Sequence, residues 1–484
     1  MAKRFILIIF IALLIFSAIY ALWDKKDVTT SSDLAYQVYI AGTEKWKNAY
    51  LRDAIPEFER AVKIDTNFAM SYAHLAELYN YIDRKEEAGE MMAKAMTLLP
   101  LVTEREQLLI KITDATINTN LENQEKLIDE YVEKFPDDIF ANHFEAKKFM
   151  LEKDFDNAIN EYEKIIDRDP AEASAYNMLG YLNYYVRNYD NAMSYLKKYS
   201  ILAKKEANPH DSYGEILMNL GRYDEAIREF ETANRIKPDL DFVLYHLGAV
   251  HREIGRYRDA IGYIERAKEH NDSRPRQLNY DIEIAYNYFL AGKTEIALEI
   301  LKDVLKEKPD RCKALSIEGI VFAHNKDFDS AAYNVKKLDS LKTALKDSPT
   351  AYSATLTELD LQIASLQAAI AFYKEDYRVA IEKYQYLVEQ TLPPHMLVFR
   401  YLLGRSYNKA GEPEKAIKEL LANLEDNPNH AFTLFELSQI YKNKEDNENY
   451  KQYLLKYLSV MSGADESVKS VITARAQLDS LVEM

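Results

Sequence analysis

The chain has 484 residues, with Lys+Arg 62 against Asp+Glu 78 and a formal net charge of −16. Gly 13 and Pro 13 are each well below ordinary usage, which disfavours turn-dense sandwiches, barrels and collagen-like repeats. A hydrophobic fraction of 48% argues against wholesale disorder, and one cysteine excludes an internal disulfide or a Cys₄ zinc site; the acidic balance disfavours nucleic acid as a partner.

Taken in chain order, the first predicted element is a membrane signal. Lys3 and Arg4 precede nineteen uncharged residues, Phe5 to Trp23. At ~1.5 Å per helical residue this run spans about 28 Å, close to the hydrocarbon core of a bilayer. Residues 1–23 are therefore expected to be an N-terminal transmembrane anchor, with 24–34 a linker. The rival reading is a secretory signal cleaved near Ala21. Lys3 and Arg4 place the N-terminus in the cytoplasm and the body on the extracytoplasmic (periplasmic) side. Cleavage would leave the same body secreted.

The rest of the chain repeats with a period of 34 residues. Frames begin at Ala35, Ala69, Arg105, Ile139, Ala173, Ala207, Asp241, Leu278, Cys312, Leu361, Leu397 and Ala431. Position 20 of the frame is alanine except at Gln124 and Tyr450, and position 24 is apolar or aromatic throughout, from Phe58 to Leu454. Glycine recurs at position 8 (Gly180, Gly248) and at the turn of position 15 (Gly221, Gly255). Small residues at 8 and 20 let two antiparallel helices approach closely, and the large residue at 24 fills the gap to the next pair. Pro100, Pro136, Pro170, Pro238, Pro309 and Pro428 fall at position 32, where a helix must end.

This pattern resembles the tetratricopeptide repeat (TPR). The resemblance implies an all-α, right-handed α-solenoid of about twelve helix-turn-helix repeats, here preceded by one transmembrane helix. Nine repeats occupy 35–340 and three occupy 361–463. The wider spacing between Cys312 and Leu361 predicts lengthened helices over 341–360, broken near Pro349, and a subdomain seam around 340–355. The frame at Arg105 departs from the pattern at Ile112 and Gln124 and should pack more loosely. Residues 464–484, with Val468, Val471, Ile472 and Leu478 along one amphipathic stretch, predict a capping helix.

No segment is left over for a catalytic domain, so neither an enzyme nor a cofactor or metal site is expected. Ten of the 13 glycines are absorbed by positions 8 and 15, and the remaining three, Gly89, Gly262 and Gly463, are too scattered to build a phosphate-binding loop. His246 and His251 are five residues apart and fall on different sides of a helix, not on one ligand face. Cys312 opens a helix, a place that lowers a thiol pKa, but with no partnered base it reads as a packed or surface thiol.

In TPR proteins the first helix of each pair lines the concave surface through positions 2, 5, 9 and 12. Carried onto this chain, those positions give Tyr181, Tyr184, Phe242, Tyr245, Tyr286 and Phe289, with Asn177, Asn208 and Arg252 around them. The resemblance thus implies a groove for peptide segments or helices of protein partners. The carboxylate clamp of some TPR proteins needs lysine at position 5, which no frame here has. The expected function is a membrane-tethered, non-catalytic scaffold or adaptor in envelope assembly or secretion. The alternative is a sensory or regulatory module acting on a separate signalling protein. The stretch "LVTEREQLLIKITDATINTN" resembles segments of TPR arrays fused to bacterial signalling domains.

Overall fold

A computed structural model describes residues 28–346 and 353–482. The expected membrane anchor (5–23), the cleavage position Ala21 and the break at Pro349 lie outside these residues. Among the described residues no helix is long and apolar enough to cross a membrane.

The described residues form 25 α-helices and no strand, in two compact units that divide between Ser212 and Tyr213, far from the expected seam at 340–355. The N-terminal unit holds α1 (Asp33–Lys47), α2 (Leu51–Ile64), α3 (Ala69–Tyr81), α4 (Lys85–Thr97), α5 (Glu104–Ile117), α6 (Leu121–Lys134), α7 (Ile139–Leu151), α8 (Phe155–Arg168), α9 (Ala173–Tyr185) and α10 (Tyr189–Leu202). Helix α11 (Ala207–Asn219) carries the boundary. The C-terminal unit continues with α12 (Tyr223–Ile236), α13 (Asp241–Glu253), α14 (Tyr257–Glu269), α15 (Arg274–Leu290), α16 (Thr294–Glu307), α17 (Cys312–His324), α18 (Phe328–Lys346), α19 (Ser353–Tyr373), α20 (Tyr377–Gln390), α21 (His395–Lys409), α22 (Pro413–Asp426), α23 (Ala431–Asn443), α24 (Asn447–Val460) and α25 (Lys469–Val482).

Odd-numbered helices through α23 are the first helices of the twelve repeats, and their even-numbered partners the second. Every position 15 has positive φ: four glycines, and eight other residues from Ala49 (62°) to Glu445 (60°). That left-handed residue ends the first helix and reverses the chain. At position 8, a Cβ on Gly180 would lie 2.5 Å from Leu196, and one on Gly248 would lie 2.6 Å from Ile264. Close approach therefore fixes glycine there, with the position-24 residue as the neighbour. The exception follows from the lengthened α18 and α19. Gly319 faces Leu366 of α19 rather than Val335, which is only partly buried.

The repeat at Arg105 is looser, as its sequence predicts. Its second helix, α6, buries only Tyr131, and Gln124 at the alanine position donates to the Thr116 hydroxyl at 2.7 Å.

Each unit also makes contacts well beyond neighbouring repeats. In the N-terminal unit the Tyr50 hydroxyl accepts from the backbone N–H of Ala207 at 2.9 Å, and Lys47 approaches Glu172 at 3.7 Å. The expected linker is pinned there too. Thr29 donates from its N–H (2.8 Å) and hydroxyl (2.6 Å) to Glu106, and Ser31 N–H donates to Asp65 at 2.7 Å. In the C-terminal unit Asn427 donates to the Tyr223 hydroxyl at 3.1 Å and Asn429 to the Gly221 carbonyl at 3.0 Å. Asp465 N–H donates to the Gly255 carbonyl, and its carboxylate accepts from Arg258 N–H, both at 3.0 Å. Helix α25 packs through Val471, with Val468 just before its start, while Ile472 is 53% exposed.

Candidate partner-binding groove

The residues predicted for the groove fall in both units, and their surroundings differ. In the N-terminal unit every residue from Ser174 to Tyr184 on α9 is buried. Tyr181 and Tyr184 keep 6% and 2% of their surface, and Asn177 keeps none. Asn208 is equally buried and donates to the Tyr199 hydroxyl at 2.8 Å. These four side chains pack within the helix layer and present almost no surface to a partner.

In the C-terminal unit the predicted residues retain surface. Phe242, Arg252, Tyr286 and Phe289 are half-buried; Tyr245 is buried, with its ring 6.2 Å from Tyr280. Arg252 stacks over Tyr286, its guanidinium 5.7 Å from the ring centre. The rings then continue from helix to helix. Tyr286 lies 6.5 Å from Phe289, Phe289 lies 5.3 Å edge-on from His324, and His324 lies 5.2 Å edge-on from Tyr373. The His324 Nδ1 and Tyr373 hydroxyl are 3.1 Å apart. Tyr373 abuts Phe372 at 5.4 Å, and Arg405 caps Phe372 at 4.8 Å. This ladder crosses α13, α15, α17, α19 and α21, the first helices of five successive repeats. Edge-to-face rings and stacked guanidinium groups make a surface both apolar and polar, suited to an amphipathic segment.

Glu283 anchors one end of the ladder. It receives Arg252 at 2.9 Å and Lys313 at 2.5 Å. Burial pushes its carboxyl up, but the two cations outweigh that and hold it at about 2. Arg252 loses stabilisation through burial and regains more from Glu283, so its pKa is raised. At the other end, burial raises the phenols of Tyr373 and Tyr401, keeping them neutral donors. His324 is shifted down, first by burial and then by Arg405 and Lys469. Cys312 also shifts against the helix-start expectation. Burial, with Glu358 and Asp310 nearby, pushes its thiol up to about 11. His246 packs on Phe230 at 5.5 Å, and His251 Nδ1 lies 3.9 Å from Asp259. Among the described residues no group of three or more His, Cys, Asp or Glu is arranged to hold a metal ion.

Four family profiles match the chain. Tetratricopeptide repeat profiles cover residues 152–208, 210–240 and 243–276, and the SusR N-terminal TPR domain covers 352–475. The chain is a tetratricopeptide repeat protein. Its TPR array is similar to Superkiller protein 3 of Schizosaccharomyces pombe, 24% identical over 53% of this chain and 16% of that protein. A TPR repeat-containing protein of Methanocaldococcus jannaschii is 23% identical over 67% of this chain and 57% of its own length. The DnaJ homolog subfamily C member 3 of Gallus gallus is 29% identical over 40% and 37%. The chain thus spans between 16% and 57% of these relatives. Among solved structures, the P58(IPK) TPR domain covers 71% of this chain and 99% of its own, at 16% identity and a TM-score of 0.24. A TPR protein from Parabacteroides merdae covers 55% and 98%, at 16% identity and a TM-score of 0.33.

TPR repeats imply a scaffold for protein–protein interaction. The TPR frame also holds ladder residues beyond the six aromatics of the middle repeats. Tyr401 and Arg405 occupy positions 5 and 9 of the repeat at Leu397, and Lys313 occupies position 2 of the repeat at Cys312. The same rule extended to the last repeats finds them. Glu283 at position 6 and His324 and Tyr373 at position 13 lie outside the rule, and contacts between successive repeats bring them into line.

Proposed function

We propose that this TPR protein is a non-catalytic scaffold whose C-terminal unit receives protein segments along the ladder from Arg252 to Arg405. The observation that carries the reading is the run of contacting rings and charged groups on five successive first helices, with Tyr286, Phe289 and Tyr373 half-buried and His324 exposed. Tyrosine binds partners well because it buries a large area at low entropy cost and keeps a polar end, and arginine because its planar guanidinium stacks on rings and makes charge-assisted hydrogen bonds. The uncharged run of residues 5–23 supports tethering to a membrane, with the body on the extracytoplasmic side and a role in envelope assembly or secretion. Tethering would raise the effective concentration of partners in the same membrane. Cleavage near Ala21, leaving a secreted body, is the alternative at that end.

Affinity capture from gently solubilised native membranes, with cross-link mapping, tests the scaffold. Wild type is compared with a Tyr286→Ala, Tyr373→Ala, Tyr401→Ala variant matched for helix content. A partner cross-linked to α15–α21 in wild type and lost in the variant is expected. The same partner retained by both would place the interface elsewhere. Fractionation with and without residues 1–27 tests the tether.

A second reading is a regulatory module acting on a separate signalling protein. It draws on the match over 352–475, whose family is named for an N-terminal TPR domain, one that precedes something else in its own protein. Co-purification with a signalling protein, in place of an envelope or secretion component, would favour it.

A further inference from the structure

The chain enters the N-terminal unit through a strap with little slack. Val28 is buried in the same apolar cluster as Val102. Thr29 holds Glu106 through its N–H and its hydroxyl, and the Thr30 hydroxyl and Ser31 N–H both donate to Asp65 at 2.7 Å. Ser32 then caps α1, its hydroxyl accepting from Ala35 N–H at 3.2 Å. Trp23, which ends the uncharged run, is only five residues before Val28. Five residues reach at most about 18 Å in any conformation. Three large aliphatic side chains stand exposed beside these contacts. Leu34 (51%) is two residues past Ser32, and Ile64 (36%) adjoins Asp65. Leu101 (58%) lies two residues before Thr103, whose hydroxyl donates to the same Glu106 oxygen as Thr29, at 2.9 Å. Position 33 of the frame is Asn67, Asp137, Ala171, Lys205 and Asp239 in nearby repeats, so Leu101 stands where this chain otherwise puts polar or small residues. One exposed leucine needs no explanation, but three aliphatics around one strap form a surface.

Resting on the tether reading, we propose that this edge of the N-terminal unit lies on the bilayer, with Leu34, Ile64 and Leu101 seated at the lipid headgroups of the leaflet where residues 5–23 emerge. The short reach decides the occupant. A folded protein, about 30 Å across, does not fit between this edge and headgroups held within about 18 Å of Val28. Lipid does, and aliphatic side chains gain by entering the boundary between headgroups and acyl chains. The charged groups exposed on this edge are mixed: Asp33 and Lys63, with Glu104 paired to Lys134 at 2.6 Å. A zwitterionic lipid therefore suffices. The first helices α1, α3 and α5 then begin at the bilayer, which fixes how the N-terminal unit stands on it.

Depth-dependent quenching in the full-length protein tests this. A Cys312→Ser background carries one new cysteine labelled with the fluorophore NBD, and the protein is reconstituted into phosphatidylcholine vesicles that contain a nitroxide-bearing lipid. The label sits at Thr66→Cys, exposed beside Ile64, or at Leu151→Cys, which replaces a comparably exposed leucine at the far end of α7. Quenching is expected at position 66 and none at position 151. Adding Leu34→Ser and Leu101→Ser should remove most of the quenching at position 66 while the protein stays with the vesicles. Thermal melting matched to the parent shows that this variant is folded. Equal quenching with and without the two leucines would mean that the tether alone brings the edge to the lipid, and would overturn the docking. No quenching at position 66 in a vesicle-bound protein would overturn it too, and both results leave the tether standing. A protein that does not float with the vesicles would overturn the tether and the docking together.

Discussion

Asp465 and Gly255 are joined by a backbone hydrogen bond of 3.0 Å across 210 residues of chain, and the Asp465 carboxylate caps the N–H of Arg258 beside it. Gly255 permits this contact twice over. Its φ is +75°, and a Cβ there would lie 2.3 Å from Met461 and 2.9 Å from Ala464. Gly292 occupies the same turn position with φ +77° and open space around it. Alanine at Gly292 should therefore cost about 1 kcal/mol from backbone strain alone. Alanine at Gly255 should add about 1–3 kcal/mol of steric conflict and loosen the C-terminal repeat. Denaturant unfolding of both variants, with hydrogen exchange at the Arg258 amide, checks this. Equal losses would show that Met461 and Ala464 move aside without effect.

Thr119 makes the opposite case. It is β-branched and sits at φ 55°, in the loosest repeat. Thr119→Gly should relieve strain worth ~1–2 kcal/mol and give back part of it as chain entropy, for a net gain of about 0.5–1 kcal/mol. Lys153→Gly, at φ 62° without β-branching, should gain less. A loss of stability in Thr119→Gly, measured by urea unfolding, would contradict this account.

Acid should weaken both units by different groups. Glu283 has a folded pKa of about 2 against an ordinary 4.5, so its pairing contributes fully above pH 4.5 and is lost as pH falls through 2. The contribution is on the order of 3 kcal/mol. The stability gap between wild type and Glu283→Gln should shrink from pH 6 to pH 3. His143 is wholly buried, and burial depresses it to about 3, followed by repulsion from Lys47. The unfolded chain then takes up a proton below pH 6.5 that the folded chain refuses, and stability falls from that pH downward. A His143→Phe variant should lose that slope between pH 6.5 and 5. An unchanged slope would mean that other groups carry the acid transition.

Cys312, with its thiol at about 11, should be nearly inert to iodoacetamide at pH 7.5. Its alkylation rate should climb tenfold per pH unit up to roughly pH 10, and faster modification near neutrality would reveal an opening of α17.

The repeat fold was legible because alanine at position 20 and the large residue at 24 recur wherever two helices must touch. The turn at position 15 was legible at Gly221, Gly255, Gly292 and Gly411. It was silent at Thr119 or Lys153, where neighbouring packing overrides residue preference. Half of the ladder followed from the TPR frame, through Arg252, Tyr286 and Phe289. Tyr181 and Tyr184 obey the same frame but are buried, on a helix whose residues from Ser174 to Tyr184 are all buried. Glu283 and His324 acquire their places only from contacts between successive repeats, which no single repeat encodes. The return of Asn427 and Asp465 to Gly221 and Gly255 leaves no periodic mark at all.

That return changes how the C-terminal unit carries load. A linear array pulled from its end peels one repeat at a time, since each repeat is held only by its neighbours. Here tension on the last helix reaches the Gly255–Asp465 and Tyr223–Asn427 contacts before it reaches the repeats between them. Those repeats are shielded until the clasp yields, and then they extend together. A pull that would slowly unravel an open array meets a threshold instead.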